Sequence, residues 1–349
     1  MKLTERKKEI LREVILRFIE YAEPIPSQSI AENSSLELSS ATIRKEMAEL
    51  EEMGYLNHPH TSAGKIPSDK GYRFFVDNFV MDRSRIEYKL EKEVPPINIM
   101  VEKDMEIETI LQRSSEQLAK ITNYLSMIVA PSINQSKLRH IEILKFQSNH
   151  FLLVLITDAG RVFKRNFKLE GTYNNLDLQG VSNILNTQLR EKNIADIDYM
   201  SVNISESDTY LRSLIKKIIE VIKACAQENL LYNRIFIYGT SSVLNQPEFI
   251  DLEKIKRILN VIENEYLLMK LLLNLSLNDE FIIKIGSEIF GEEVEGTDDL
   301  SLVASKYKVC GHSTGTIGIL GPKRMNYYRV INILDAFVEN LKEIFDSRT

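Results

Sequence analysis

Cys310 and His312 are the residues of this sequence whose types and spacing come nearest to a catalytic pair. Two positions apart in a strand they would share a face, as a thiol nucleophile and its base must. No orienting acid and no oxyanion-forming loop accompanies them. The glycine-rich stretch that they open, CGHSTGTIGILGPKRM, lacks the G-x-x-x-x-G-K-[ST] spacing of a phosphate-binding loop. We therefore expect turns and close packing here, and we predict neither an enzyme nor a cofactor site.

Histidines 58 and 60 raise the possibility of a metal site. They have no cysteine or carboxylate pair beside them, so a loop contact or plain solvent exposure is the better interpretation, and we predict no metal. Cys225 lies in an amphipathic pattern and is expected to be a small core residue. With only two cysteines, far apart, there is no disulfide framework, which favours a cytoplasmic protein. The charged N-terminus is no signal peptide, and no apolar run is long enough to cross a bilayer, so we expect no membrane partner.

A third stretch, HPHTSAGKIPSDKGYRFF from 58, stands out because it is poor in acid. Asp and Glu outnumber Lys and Arg by 50 to 44 in the whole chain, yet no acid occurs from Asn57 to Ser68. Pro59 and Pro67 stiffen this stretch, and Gly64 permits a tight turn. Lys65 and the neighbouring hydroxyls could contact DNA phosphates, which would repel acids.

The elements around this stretch predict a winged helix-turn-helix over residues 1–84. A helix over 4–21 can begin at Thr4, a short helix follows over 27–33, and a third over 39–53 has Ser39 as its N-cap and Gly54 after its end. YLNH and KIPS are expected to be short strands on either side of the turn HTSAG, before a helical segment over 68–80. The third helix carries one buried stripe at helical spacing: Ile43, Met47 and Leu50.

The third helix is the predicted recognition helix. The outward positions of its N-terminal half are small, hydroxylated or basic: Ser40, Ala41, Thr42, Arg44 and Lys45. Its acids come later, where a helix would leave the DNA major groove. Residues 1–85 hold 13 Lys and Arg against 14 Asp and Glu, so the charge is sorted by position and the segment is not basic overall. On spacing alone, DNA binding and an ordinary small helical domain both remain open.

Beyond a charged segment at 85–103, expected to be a linker, the chain alternates between strand and helix patterns. An amphipathic helix is predicted over 105–125, and three strands at 140–147, 150–157 and 161–169. Residues 172–278 are mainly helical, with long helices at 209–232 and 251–275. Strands return at 280–289, 300–309 and 316–321 before a last helix over 327–345. We expect the strands at 140–169 to pair with those at 281–320, so that 172–278 is an insertion into one sheet.

Two blocks, SSATIRKEMAELEEMGYL and HTSAGKIPSDKGYRFFVD, resemble the heat-inducible transcription repressor family HrcA, and GPKRMNYYRVINIL resembles a third block of it. The resemblance spans essentially the whole chain. It implies an α+β protein with an N-terminal winged helix-turn-helix, a GAF-like α/β domain with an antiparallel sheet in two segments (104–171 and 279–349), and an inserted, mainly helical dimerisation domain (172–278). Lys45 and Lys65 depart from the family pattern, where Asn and Arg are more usual.

The resemblance also implies a function. Members repress chaperone operons as homodimers on an inverted repeat of double-stranded DNA, the CIRCE operator, and their activity depends on the chaperonin GroEL. The expected DNA-binding residues are Ser27, Gln28, Ser39, Ser40, Thr42, Arg44, Lys45, His60, Thr61, Ser62, Gly64, Lys65, Tyr72 and Arg73. Two alternatives are a winged-helix regulator whose GAF-like domain senses a small molecule, and an enzyme with a DNA-binding module, which the lack of a catalytic set disfavours.

Overall fold

The computed structural model describes most of the chain. The described residues are 3–33, 36, 38–59, 64–81, 95–97, 99–102, 105–147, 149–169, 177–203, 209–227, 235–249, 251–275, 280–291, 294, 297–311 and 313–347. Three predicted DNA contacts, His60, Thr61 and Ser62, fall outside this set, as do His312 and much of the linker predicted at 85–103.

The N-terminal segment consists of helices and one small hairpin. Its elements are α1 (Glu5–Tyr21), α2 (Ser27–Asn33), α3 (Ser40–Glu52), β1 (Leu56–Asn57), β2 (Ile66–Pro67) and α4 (Asp69–Phe75), which continues as a π-helical turn (Val76–Val80). The Thr4 hydroxyl accepts a hydrogen bond from the Lys7 amide, and α1 ends at Ala22 in the left-handed region (φ 57°). The predicted caps at Thr4 and Ser39 are confirmed, because both side chains accept from the first helical turn.

A five-stranded antiparallel sheet forms the centre of the molecule. Its strands are β3 (Leu125–Val129), β7 (Ile235–Tyr238), β8 (Phe281–Ile285), β9 (Leu300–Val309) and β10 (Ser313–Pro322), in the order β7-β3-β10-β9-β8. Helices cover both faces. On one face lie α5 (Ile107–Thr122) and α11 (Tyr327–Asp346), and on the other α8 (Thr240–Leu244), α9 (Leu252–Glu263) and α10 (Glu265–Leu273).

The side chains of the central sheet alternate between these two layers. In β3, for example, Ile128 joins the α5–α11 core, whereas Met127 and Val129 join the opposite core. The α5–α11 core is also continuous with the core of the N-terminal segment, because Leu11 and Phe75 belong to the same buried cluster.

A second, separate unit lies between β3 and β7 in the chain. Its three-stranded antiparallel sheet, β4 (Leu138–Gln147), β5 (His150–Thr157) and β6 (Val162–Lys168), packs one face against α6 (Leu178–Leu189) and α7 (Thr209–Gln227). Its buried cluster runs from Ile133 to Cys225, so the predicted core position of Cys225 is confirmed.

The predicted pairing of the strands at 140–169 with those at 281–320 is wrong. In the described chain β4, β5 and β6 pair only with one another, and β10 pairs with β3 through registers such as Ile317 with Ile128. Strand β7, which lies inside the span predicted to be mainly helical, forms the edge of the central sheet.

The single long helix predicted over 251–275 is also wrong, because the chain breaks at Asn264. This residue leaves the helical conformation (φ −86°, ψ 76°), and its side chain accepts a hydrogen bond from the Leu267 amide at 3.0 Å, which starts α10 afresh. An asparagine inside an apolar periodic run can therefore act as an N-cap.

Candidate nucleic-acid interface

The first turn of α3 is fixed by hydroxyl groups. Ser39 Oγ accepts from the Thr42 amide at 3.2 Å and lies 2.9 Å from Thr42 Oγ1. Ser40 Oγ lies 3.2 Å from Ser27 Oγ at the start of α2, which holds the two helices together at their N-terminal ends. These hydroxyls therefore shape the end of α3 that a DNA groove would receive.

The outward stripe of α3 is small and basic. Ile43, Met47 and Leu50 are buried, so the opposite side of the helix faces solvent. The exposed positions there follow i, i+3, i+4 and i+7 spacing: Ala41, Arg44, Lys45 and Ala48. We call these four residues the outward stripe. Among the described residues no hydrogen bond or ion pair engages Arg44 or Lys45, although the charge of Lys45 contributes to lowering the pKa of Glu49.

Two of the four acids of α3, Glu46 and Glu49, form ion pairs with cations of α1. Lys7 Nζ lies 2.8 Å from a Glu46 oxygen and 2.7 Å from a Glu49 oxygen, and Arg6 approaches Glu46 at 3.5 Å. Hydrogen bonds to Glu46 and Glu49 raise the pKa of Lys7, and the hydrogen bond from Lys7 lowers the pKa of Glu49. These two acids therefore serve to pair α3 with α1, which accounts for their place after the cations Arg44 and Lys45 in the sequence.

A groove runs along the N-terminal half of α3. Its volume is about 770 Å³, and it is bounded by the start of α2, by α3 and by the hairpin. The lining residues are Ile25, Pro26, Ser27, Gln28, Ser40, Ala41, Arg44, Met47, Ala48, His58 and Lys65. Gln28 also donates to Glu32 at 2.8 Å, so its amide is held at the groove wall.

The hairpin is anchored to the connection between α1 and α2. Lys65 and Ile25 exchange backbone hydrogen bonds of 2.9 and 3.0 Å. A Cβ atom at Gly64 would come within 2.6 Å of the Pro24 carbonyl carbon and oxygen. The glycine is thus required for this close approach, and its carbonyl oxygen lies 3.2 Å from His58 Nδ1.

Three of the predicted DNA contacts are engaged elsewhere in this structure. The ammonium of Lys65 forms an ion pair with Glu51, so it faces α3. Tyr72 is only 2 % exposed, and burial raises the pKa of its hydroxyl well above the ordinary value, so its side chain faces the core in this structure. Arg73 contacts Glu288 and the Ile283 carbonyl of the central sheet.

Several residues that line the groove, Ile25 and Ala48 among them, are absent from the predicted DNA contacts. Ala48 does not stand out because alanine carries no charge or hydroxyl, and Ile25 stands out only as part of a helix break. A signal for Ala48 is nevertheless present, since it lies seven residues after Ala41 on the face opposite the buried stripe.

No group of three or more His, Cys, Asp or Glu side chains that could hold a metal ion occurs in the described part of the chain. Cys310 lies at the turn between β9 and β10 with a φ of 51°. In the same part of the chain, no helix combines the length and apolar character needed to cross a membrane.

Comparisons with known proteins agree on one family. Residues 108–331 match the family model described as "HrcA protein C terminal domain". The heat-inducible transcription repressor HrcA of Pelotomaculum thermopropionicum is 32% identical over 99% of this chain and 98% of that protein. The protein of the same name from Ruminiclostridium cellulolyticum is 37% identical over 96% of this chain and 95% of its own length.

A solved structure has a similar fold. It is described as the crystal structure of a hypothetical protein at 2.2 Å resolution, covers 100% of both chains, and superposes with a TM-score of 0.63 at 23% identity. At this identity the likeness concerns the fold alone, a mixture of helices and antiparallel sheet.

Proposed function

The chain belongs to the HrcA family of heat-inducible transcription repressors, and we propose that it represses heat-shock genes by binding operator DNA through α3 and the β1–β2 hairpin. The N-terminal segment then acts as a winged helix-turn-helix. The observation that carries the proposal is the outward stripe of α3, where two exposed cations without a hydrogen bond or ion pair among the described residues are flanked by two alanines. The small alanine side chains allow α3 to approach the wall of the DNA major groove closely, and the cations can contact base edges or phosphates.

Substitution of the two cations tests this proposal. Arg44→Ala and Lys45→Ala are compared with Lys256→Ala, which removes an exposed lysine of α9. We expect each stripe variant to weaken binding to an inverted-repeat operator by roughly 1–3 kcal/mol if a base is read, or to flatten the salt dependence if a phosphate is contacted. Lys256→Ala should bind as the unchanged protein does. Equal affinity and an equal salt slope for all four proteins in gel shifts would remove the support for the proposal.

The inverted repeat calls for a two-fold assembly, and we assign the dimer contact to the unit of β4–β6, α6 and α7. This assignment covers about 133–227, where the sequence suggested 172–278. One face of its sheet packs on its own helices, while the other exposes Leu144, Phe146 and Val162 at 47, 54 and 50 %. A second copy of the chain would cover this apolar face, as the cores of homodimer interfaces are covered.

The dimer assignment has its own test. Phe146→Lys places a charge on the apolar face of the proposed contact, whereas Lys256→Ala leaves that face unchanged. We expect sedimentation to show a shift from dimer to monomer for Phe146→Lys only. A dimer of unchanged stability would move the contact elsewhere.

Heat control is proposed to act through folding. The central sheet needs β3 to pair with β10 and β7, which lie far away in the sequence. Non-local pairing is slow and leaves apolar strands such as Phe281–Ile285 exposed on the way. We infer that the chaperonin GroEL assists this step, so that heat, by diverting GroEL to other unfolded proteins, lowers the supply of active repressor.

Refolding from urea should give mainly inactive material, and GroEL with ATP should raise the active fraction. Quantitative refolding without GroEL would contradict this route and favour a small-molecule effector.

A further inference from the structure

Helix α4 joins the N-terminal segment to the central sheet by two ion pairs. Arg73 Nε donates to Glu288 Oε1 at 2.9 Å, and a second, shorter bond links Arg73 Nη2 to Glu288 Oε2. Arg73 Nη2 also donates to the Ile283 carbonyl at 2.8 Å. One turn earlier, Asp69 accepts from the ammonium of Lys323, which lies between β10 and α11. We call the pairs Arg73–Glu288 and Asp69–Lys323 the ionic bridge.

The ionic bridge contacts the central sheet at its edge strand, β8. Strand β8 is an edge of the five-stranded sheet, so within the described part of the chain no strand lies beside its outer carbonyls. The guanidinium of Arg73 satisfies the carbonyl of Ile283 on that edge. Burial would lower the pKa of Arg73, but its hydrogen bonds to Glu288 and Asp77 raise it above its ordinary value, so the guanidinium stays charged.

Aromatic contacts fix the same helix against α11. Tyr72 lies between the two bridge residues, and its ring centroid is 6.4 Å from that of Tyr327. Phe75 meets Tyr328 edge-on at 5.9 Å, and the Tyr328 hydroxyl donates to the Phe79 carbonyl at 3.0 Å. The inward side of α4 is therefore packed on the C-terminal part of the chain, with ion pairs at its rim.

The other end of the connection runs directly to α3. Ser68 Oγ donates to the Gly54 carbonyl at 2.6 Å, and Lys70 Nζ donates to the Met53 carbonyl at 2.7 Å. Lys70 also lies 4.4 Å above the ring of Tyr55. Because these bonds clamp the end of α3 to the start of α4, any rotation of α4 on the sheet would carry α3 with it.

We propose that Asp69 and Arg73 are positioning residues for DNA recognition. Their ion pairs with Lys323 and Glu288 set the orientation of α3 relative to the central sheet. This inference rests on the proposed function. In a two-fold dimer, the orientation of each α3 relative to its own central sheet fixes the distance and the rotation between the two recognition helices. Half-site spacing is matched to that geometry. The ionic bridge would then select operators by their spacer length, without touching a base.

The test measures spacer selectivity in the full-length protein. Glu288→Gln combined with Lys323→Gln removes both charge partners, while the glutamine introduced at 288 keeps an amide oxygen that can accept from the Ile285 amide, as Glu288 does. The matched control is Asp77→Asn, which removes another carboxylate bonded to Arg73, at 3.3 Å, but one that lies within the N-terminal segment. Each protein is titrated with the inverted repeat, with the same repeat after insertion of half a helical turn, and with a single half-site.

We expect the unchanged protein and Asp77→Asn to bind the inserted repeat much more weakly than the correct one. The double variant should bind the correct repeat about tenfold more weakly, as loss of two partly buried ion pairs allows, and should discriminate less between spacers. Its affinity for the single half-site should stay within about twofold of the unchanged protein. Arg73→Glu combined with Glu288→Arg should recover part of the spacer selectivity that either single change removes.

The outcomes separate the two claims. If the unchanged protein binds neither the repeat nor a half-site, the proposed function fails and the positioning role fails with it. If the unchanged protein binds and the double variant keeps full spacer selectivity, the positioning role alone is overturned. If the double variant does not fold, the charge exchange at 73 and 288 decides, because absence of recovery relative to the single changes would refute the inference.

Discussion

Gly64→Ala tests whether the hairpin must approach the α1–α2 connection as closely as the structure has it. The added Cβ atom would lie 2.6 Å from the carbonyl carbon and oxygen of Pro24 and 2.8 Å from the Ile25 nitrogen, all backbone atoms that no rotamer change can move. Separation of the two segments would break the two backbone hydrogen bonds between Ile25 and Lys65.

The cost follows from these contacts. Two hydrogen bonds at about 1 kcal/mol each and the strain of the shifted backbone, about 1–2 kcal/mol, give roughly 3–4 kcal/mol. The smaller conformational freedom of alanine in the unfolded chain offsets about 0.4–1 kcal/mol. The net loss of unfolding free energy for the N-terminal segment should be about 2–3 kcal/mol, and the displaced hairpin should also lower operator affinity.

Urea unfolding and gel shifts measure the two effects side by side. The control is Gly160→Ala: its new Cβ atom meets nothing within 4 Å, but its φ of +77° disfavours alanine by roughly 1–2 kcal/mol. Both variants should lose stability, while only Gly64→Ala should lose DNA binding at low urea. A Gly64→Ala protein with unchanged midpoint and affinity would refute the close approach.

Three further predictions concern single side chains. Ser39→Ala removes the acceptor at the start of α3 and should cost about 1 kcal/mol of stability with weaker operator binding, as measured by thermal melts and gel shifts. Tyr307→Phe leaves the buried Val129 carbonyl without its 3.0 Å hydrogen bond and should lower the urea midpoint by an amount equivalent to about 1–2 kcal/mol without changing half-site affinity. Lys7 lowers the pKa of Glu49 in the folded state. The stabilisation from this pair is therefore present above the pKa that Glu49 has in the unfolded chain, and it is lost as the pH falls through the pKa of Glu49 in the folded protein. Glu49→Gln should flatten the dependence of the melting temperature on pH in the acid range.

The N-terminal elements could be predicted because their signals are local. Thr4 and Ser39 cap helices through bonds within one turn, and the buried stripe of α3 repeats at helical spacing. The sequence also predicted that Arg44 and Lys45 would face outward, and both are exposed. Each of these features depends on residues close together in the chain.

The partners of distant segments could not be predicted in the same way. Strands β5 and β8, which belong to different sheets, share the same alternating pattern. Such a pattern shows that a strand has a buried side but does not show which strand lies beside it. Strand β7 spans only Ile235–Tyr238, too short a run for periodicity to reveal. Arg73 and Tyr72 have residue types common at DNA surfaces, and only the tertiary fold places them against Glu288 and Tyr327.

The most direct measurement of the central claim is affinity cleavage of operator DNA from α3. An iron-EDTA group attached at Ala41→Cys, on the outward stripe, is compared with the same group at Lys256→Cys and with the unchanged protein, whose own cysteines are Cys225 and Cys310. We expect the group at 41 to cut DNA within each half of an inverted repeat, in a pattern centred on the major groove, and the group at 256 to leave the DNA intact. Cleavage from 256 equal to that from 41, or none from 41 while the protein is bound, would contradict the assignment of α3 as the recognition helix.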